Sequence, residues 1–149
     1  MQGWMLALGA AIVAVAVLDA LSTTLAASTA AGPITARIGG GLWRLGRRLA
    51  SGPRSALMVV MGPAIVVATV ATWLLLLWIG WTLVFVADPS AVVSATTREP
   101  ADWWARSYFA AYSLFTLGLG DYVPQGAPWQ LATSLALVNG LGGAVSVSV

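Results

Sequence analysis

Apolar residues along the chain form three long runs, and most charged residues lie between these runs. The runs cover residues 4–27, 56–86 and 127–149, and each is long enough for a transmembrane helix, which needs about 20 residues. A shorter apolar segment, residues 101–115, would form about 22 Å of helix, which is too short to cross a bilayer. Because glycine-rich sequence follows this segment, we expect it to enter the membrane and turn back. The pattern predicts an all-α membrane protein with three transmembrane helices and one re-entrant helix.

The second run is longer than a single crossing requires. As a helix it would extend about 46 Å, whereas the hydrocarbon core of a bilayer is about 30 Å thick. We therefore expect the helix to tilt, to begin at the membrane surface, or to bend. Pro63 is the best place for a bend, because proline removes a backbone hydrogen bond.

The distribution of charge predicts the orientation of the chain. Hydrophobic residues make up 59% of the sequence and charged residues 8%, which is typical of a membrane protein. Five arginines without an acid among them separate the first two runs: Arg37, Arg44, Arg47, Arg48 and Arg54. Because basic loops stay in the cytoplasm, we assign residues 1–31 to an N-terminal transmembrane helix, 32–55 to a basic cytoplasmic linker and 56–149 to the main domain. We expect no nucleic-acid partner for this linker, and no signal-peptide cleavage, since the arginines follow the first run instead of preceding it.

The basic linker contains an amphipathic segment at residues 42–49. Its leucines fall on one helical face and its arginines lie elsewhere. Such a helix is expected to lie on the inner membrane surface, where Arg44, Arg47 and Arg48 would bind anionic lipid. Asp19 is an acid inside the first run, and we expect it to pair with one of these three arginines.

The glycine-rich motif is Phe-Thr-Leu-Gly-Leu-Gly-Asp, at residues 115–121. Glycine adopts positive φ at low cost, so Gly118 and Gly120 allow left- and right-handed conformations to alternate along the backbone. That alternation turns successive carbonyl groups to the same side, and a row of carbonyls can replace the water around a small cation. Irregular backbone inside a membrane is tolerated only when protein buries it or when it lines water. The motif therefore predicts a cation pathway, which the C-terminal dipole of the preceding helix would favour.

Other chemistries find little support in the sequence. There is no cysteine and no histidine, so thiol chemistry, disulfides and histidine-based metal sites are excluded. A dinucleotide site would need the third glycine of G-x-G-x-x-G, which is missing. No nucleophile–base pair or metal cluster is visible, and we expect neither an enzyme nor a bound cofactor.

The order of features over about residues 57–149 resembles the pore domain of two-transmembrane-type potassium channels. The shared features are a span, an acidic outer segment, a short aromatic helix, the motif Thr-x-Gly-x-Gly-Asp, Pro124, Trp129 and a further span. The first run and the basic linker are additional to this core. The resemblance implies that residues 101–115 form a pore helix, that residues 116–120 form a selectivity filter entered from outside the cell, and that four chains form one pore.

Carried over by position, the resemblance assigns potassium binding to the Thr116 hydroxyl and to backbone carbonyls of the filter. The filter residues are Thr116, Leu117, Gly118, Leu119 and Gly120. Residues expected to support the filter are Asp121, Tyr108, Phe109 and Tyr112. Leu119 stands where the family has a tyrosine, so we expect packing alone to hold the filter. Tyr112 occupies a position where some relatives carry an acid that braces the filter.

Asn139 and Gly140 in the last run have two interpretations. Asparagine in a span is costly against lipid, so it should face protein or water. Small residues recur around it at helical spacing. This face suits either a water-filled cavity below the filter, with Gly140 as a hinge, or close packing against another helix.

These features predict a passive cation channel, a homotetramer selective for potassium ions, in the plasma membrane of a bacterium. One alternative is a weakly selective cation channel, because Leu119 replaces the filter tyrosine. The other is a non-conducting membrane subunit that keeps the shape of the pore domain.

Single cysteines test the orientation, because the chain has none of its own. Ser94→Cys is expected to react with an impermeant thiol reagent applied outside intact cells, and Ser51→Cys is expected not to react, since basic loops stay inside. Mass spectrometry of the labelled protein measures both. The reverse labelling pattern would contradict the predicted orientation.

Overall fold

A computed structural model describes residues 2–25, 32–49 and 56–145 of the chain. This part contains five helices and two short strands. In chain order they are α1 (Gly3–Leu25), α2 (Pro33–Leu49), α3 (Ala56–Val86), β1 (Val92–Ser94), α4 (Trp103–Leu114), β2 (Tyr122–Pro124) and α5 (Ala127–Val145). The mostly helical architecture is confirmed, but the all-α prediction missed a small two-stranded sheet.

Two of the described helices are long and apolar enough to cross a membrane, judged by length and composition. They are α1 over its full length and residues Met58–Val86 of α3. The first two predicted crossings therefore have matching helices, and Pro63, the predicted place of a bend, lies inside α3. Within the described residues α5 is not among these helices, so the third crossing stays a prediction.

α1 and α3 pack antiparallel through glycines. The Gln2 N–H donates to the Ala87 carbonyl at 2.7 Å, which places the start of α1 beside the end of α3. Farther along, a Cβ on Gly9 would lie 2.6 Å from the Gly80 carbonyl oxygen, and a Cβ on Gly80 would lie 2.7 Å from Val13 Cγ2. Side-chain carbons do not approach so closely, so glycine at both positions permits the close contact of the two backbones.

α2 packs along α3 over much of its length and begins well before residue 42. A Cβ on Gly46 would lie 2.5 Å from Met61 Sδ, and one on Gly39 would lie 3.5 Å from Ile65 Cγ2. Gly39 and Gly46 therefore lie on the helical face of α2 that packs against α3. A short helix was predicted only for the second half of α2, residues 42–49, because only there do leucines and arginines alternate.

The predicted pairing of Asp19 with an arginine is wrong. Asp19 is 2% exposed, and its carboxylate accepts hydrogen bonds from the Ile34 N–H at 2.7 Å and from the Trp73 indole N–H at 2.9 Å. The N-terminal turn of α2, which offers free N–H groups, lies next to α1. The arginines of α2 lie farther along the helix.

An aromatic cluster joins α3, α4 and α5. Phe85 is fully buried, and its ring centroid lies 5.0 Å from that of Phe109 and 6.2 Å from that of Trp129. The Trp78 indole N–H donates to the Ser107 carbonyl at 3.0 Å. These contacts fix α4 between the two longer helices, because burying large rings side by side is favourable.

Polar groups stabilise the connection from α3 to α4. Asp102 caps α4 by accepting a hydrogen bond from an N–H of its first turn. The buried Arg106 donates to the Pro89 carbonyl at 3.0 Å. Asp88 accepts hydrogen bonds from the hydroxyl and the N–H of Ser90, and these bonds lower the pKa of its carboxyl group.

β1 and β2 form an antiparallel pair with Val92 opposite Pro124. The Ala95 N–H extends the pairing by donating to the Asp121 carbonyl at 2.9 Å. The pairing ties the connection before α4 to the chain that follows the glycine-rich motif. Both ends of the motif are therefore held, by α4 on one side and by β2 on the other.

Gly9→Ala is expected to weaken the packing of α1 on α3, because its Cβ would meet backbone atoms that cannot rotate away. We expect a loss of about 1–3 kcal/mol in the free energy of unfolding, measured by denaturant titration of the purified protein in detergent.

Gly3→Ala is the matched control, because no atom lies within 4 Å of its Cβ position. Equal stability of Gly9→Ala and Gly3→Ala would contradict the close contact of α1 and α3.

Candidate functional site

The backbone of the glycine-rich motif alternates in handedness. Thr116, Gly118 and Gly120 have φ angles of 57°, 55° and 80°. Leu117 and Leu119 between them are outside the left-handed region. The alternation that the glycine spacing predicted is thus present, and it extends to Thr116. A threonine in this conformation costs about 1–3 kcal/mol, so the surrounding structure must hold it there.

Hydrogen bonds anchor the beginning of the motif to the last turn of α4. The Leu117 N–H donates to the Tyr112 carbonyl at 2.9 Å, and the Thr116 N–H donates to the Ser113 carbonyl at 3.3 Å. These bonds continue the hydrogen bonding of α4 by one turn and satisfy carbonyls at its end. They hold Thr116 in its left-handed conformation.

The middle of the motif has no such partners. Within the described part of the chain, no hydrogen bond is formed by the backbone of residues 118–120. Phe115, Leu117 and Leu119 are each more than half exposed. A lone chain would present this backbone and these apolar side chains to its surroundings, and exposed irregular backbone is unfavourable in lipid. Such backbone is tolerated in a membrane only where protein buries it or where it lines water.

The three pore-helix aromatics predicted to support the motif lie together. The Tyr108 and Tyr112 ring centroids are 5.3 Å apart, and those of Phe109 and Tyr112 are 5.2 Å apart, both in edge-to-face arrangements. Phe109 and Tyr112 are buried, whereas Tyr108 is partly exposed. Phe109 and Tyr112 also line a cavity of about 230 Å³ behind the motif.

The cavity lies between α4, β2 and α5. Its lining includes Thr116, Gly118 and Gly120 of the motif and Thr133 and Leu137 of α5. Leu117 and Leu119 are not part of the lining, so the two leucines lie away from this cavity. On the side that faces this cavity, the motif therefore does not pack fully against the rest of its own chain.

Packing is not the only support for the motif, contrary to the sequence prediction. The Tyr112 hydroxyl donates a hydrogen bond to the Tyr122 carbonyl, directly after Asp121. This bond joins α4 to the start of β2 across the motif. Tyr112 thus braces the loop with a hydroxyl at the position where the resemblance placed an acid in some relatives.

Gly140 and Asn139 lie on different sides of α5. A Cβ on Gly140 would overlap the Leu114 carbonyl, so this glycine permits close contact with the end of α4. Asn139 lines two cavities, of about 280 and 390 Å³, that α1 and α3 also line. The placement of Gly140 agrees with the close-packing interpretation, whereas the Asn139 side chain makes no hydrogen bond to a neighbouring helix within the described residues. The roles in a water-filled cavity and as a hinge stay predictions.

Sequence reasoning missed Arg106 and Tyr122. Arg106 is the one charged residue within α4, and a charge in an apolar segment is a signal of a buried partner. Tyr122 acts through its carbonyl, which every residue has, and no sequence signal identifies it.

The motif offers oxygen ligands of a particular kind. Backbone carbonyls and the Thr116 hydroxyl are neutral oxygen donors, which suit alkali cations in a filter. The C-terminal end of α4 adds a negative dipole beside them. In the described residues no group of three or more acidic, cysteine or histidine side chains could hold a metal ion.

Comparison with known proteins places this arrangement in context. A sequence model of the ion channel family, of the two-transmembrane, potassium channel-like type, matches residues 68–147. The uncharacterized membrane protein YdjJ of Bacillus subtilis (strain 168) is 36% identical over 140 residues, which cover 94% of this chain and 40% of YdjJ. The chain thus spans less than half the length of this relative. No solved structure matches the chain.

Tyr112→Phe is expected to loosen the motif, because the Tyr122 carbonyl loses its donor. We expect a loss of about 1 kcal/mol in stability and faster amide hydrogen exchange across residues 116–124, measured by mass spectrometry. Tyr108→Phe is the control, because the Tyr108 hydroxyl makes no hydrogen bond within the described residues. Equal exchange rates in the two variants would show that the hydroxyl does not brace the loop.

Proposed function

The chain belongs to the ion channel family, and we propose that four copies of it form a passive, potassium-selective cation channel in a bacterial plasma membrane. The observation that carries the proposal is the alternation of φ at Thr116, Gly118 and Gly120. In this conformation successive carbonyls turn toward one side and replace the water around a cation. Potassium is the permeant ion, and no cofactor is needed.

Assembly of several chains follows from the exposed motif. One loop covers only one side of an ion, and closed cyclic symmetry brings identical loops around a common axis. Four is the number of loops in potassium filters. Neighbouring copies would also cover Phe115, Leu117 and Leu119, which a single chain leaves exposed.

In this assembly α5 is the third transmembrane helix and lies nearest the axis. Its contact with the end of α4 through Gly140 supports this position. Leucines along its outer surface, including Leu131, Leu135 and Leu141, are exposed in the single chain. They are available for contacts between copies or with lipid.

Selectivity for potassium requires a filter that keeps its shape. Hydrogen bonds of Leu117 to α4 and the brace from Tyr112 to Tyr122 supply rigidity at both ends. Leu119 favours a second candidate function, a weakly selective cation channel. It has no hydroxyl, and the 230 Å³ cavity behind the motif leaves room for the loop to move.

Gly118→Ala tests the carbonyl pathway. A Cβ penalises the left-handed conformation by about 1–2 kcal/mol, although no atom lies within 4 Å of its position. We expect potassium flux into liposomes to fall at least about tenfold, while native mass spectrometry still detects tetramers.

Gly126→Ala is the matched control. Gly126 has φ of 84° and lies outside the motif, and its Cβ would make only ordinary contact with Pro128. Equal flux through Gly118→Ala and the unmodified channel would refute the pathway. Parent tetramers that pass sodium as well as potassium would support the weakly selective channel. Parent tetramers that pass no cation would support a non-conducting subunit.

A further inference from the structure

α2 presents a basic surface that has no counter-charge among the described residues. Its four arginines are exposed: Arg37, Arg44, Arg47 and Arg48. α2 contains no acid, and the described residues place no carboxylate within ion-pair distance of these groups. Arg37 and Arg44 each donate one hydrogen bond to a carbonyl one turn earlier in α2. Most guanidinium donors therefore remain available to an external anion.

Apolar side chains share this surface with the arginines. Trp43, Leu45 and Leu49 are exposed beside them, while the glycine face of α2 is occupied by α3. Exposure of tryptophan and leucine side chains to water alone is unfavourable. The mixture is typical of the boundary between lipid headgroups and acyl chains.

The depth of α2 in the membrane follows from the lengths of its neighbours. α1 extends about 34 Å and α3 about 46 Å at 1.5 Å per residue. Because the Gln2–Ala87 hydrogen bond aligns the two helices at one end, α3 continues about 12 Å beyond α1 at the other. The Gly46 contacts with Met58 and Met61 place the second half of α2 along this extension. That level corresponds to the headgroup layer outside a hydrocarbon core of about 30 Å.

Asp19 holds the first turn of α2 against α1 and so fixes the depth of α2 in the membrane. Its carboxylate accepts hydrogen bonds from the Thr35 N–H at 3.2 Å and the Thr35 hydroxyl at 2.7 Å, in addition to those from Ile34 and Trp73. A carboxylate at this place satisfies free N–H groups of α2 and complements its dipole. A Cβ on Gly32 would overlap the Asp19 carboxylate, so glycine is needed there. α1 thereby caps α2 and sets where the arginines lie.

From these observations we propose that the exposed surface of α2 binds the phosphate groups of anionic phospholipids in the inner leaflet. Asp19 holds this surface in a fixed position against α1 and α3. The positive charge without a partner selects an anion, and the neighbouring tryptophan and leucines select a lipid over a soluble polyanion. The proposal rests on the membrane location and on the cytoplasmic placement of the linker, and it does not require that the protein conducts ions.

The unmodified protein provides the first test. Native mass spectrometry of the full chain in detergent, titrated with phosphatidylglycerol or phosphatidylcholine of identical acyl chains, measures binding directly. We expect phosphatidylglycerol to bind at least about a hundredfold more tightly, with an affinity that falls as salt is raised. Equal binding of the two lipids, or equally tight binding of a short RNA, would overturn the proposal.

Replacing Arg44, Arg47 and Arg48 together by glutamine is expected to lower phosphatidylglycerol affinity about a hundredfold and to leave phosphatidylcholine binding unchanged. Arg98→Gln is the control, because Arg98 is exposed in the connection between β1 and α4. Unchanged affinity in the triple variant would contradict the assignment to α2. Because binding is measured without ion flux, failure of conduction does not affect the result.

Asp19→Asn tests the anchoring step with a side chain of the same size. We expect faster amide hydrogen exchange at residues 34–38 and a severalfold loss of phosphatidylglycerol affinity, since the carboxylate charge no longer complements the α2 dipole. Asp88→Asn is the control on the opposite end of α3. Unchanged exchange and affinity in Asp19→Asn would show that Asp19 does not position the surface.

Discussion

Backbone polar groups that are removed from water must find partners, and this constraint shapes the region around the glycine-rich motif. The N–H groups of Thr116 and Leu117 donate hydrogen bonds to carbonyls in the last turn of α4. Directly after the motif, β2 is paired with β1. Residues 118–120 between these anchors have no partner within the described chain. A short length of backbone is thus left free for external ligands while both of its ends are held. That is the arrangement a carbonyl filter requires.

Packing brings these anchors to the right places. Phe85 contacts the rings of Phe109 and Trp129 and so fixes α4 between α3 and α5. Gly140 allows the end of α4 to touch α5 directly. The position of the motif therefore depends on the packing of the Phe85, Phe109 and Trp129 rings. It also depends on Gly140, which has no side chain to keep α5 away from the end of α4. Close packing and the hydrogen bonds at both ends of the motif together determine where it lies.

The N-terminal part of the chain is connected to the same frame. Asp19 bonds to Trp73 of α3 and to the first turn of α2, and α3 in turn carries Phe85 of the aromatic cluster. A continuous set of contacts thus joins the basic surface of α2 to α4. The basic surface of α2 at one end and the motif at the other therefore lie on one packed set of helices.

The sequence by itself determined α1, α3 and the location of the motif. Apolar length identifies α1 and α3, because crossing a bilayer takes a fixed number of helical residues. Gly118 and Gly120 predict left-handed backbone, because no other residue type adopts this conformation at so little cost in free energy. Each of these properties is local and can be read over a short stretch of chain.

Only the tertiary structure decided which distant groups become partners. Asp19 meets Trp73 and Ile34 instead of an arginine, and the Tyr112 hydroxyl meets the Tyr122 carbonyl. Thr116 adopts a positive φ that its side chain disfavours, because hydrogen bonds from the last turn of α4 hold it. The physical reason is the same in each case. A hydrogen bond forms only when two groups lie close together in space. The periodicity of the sequence does not show which distant groups become neighbours.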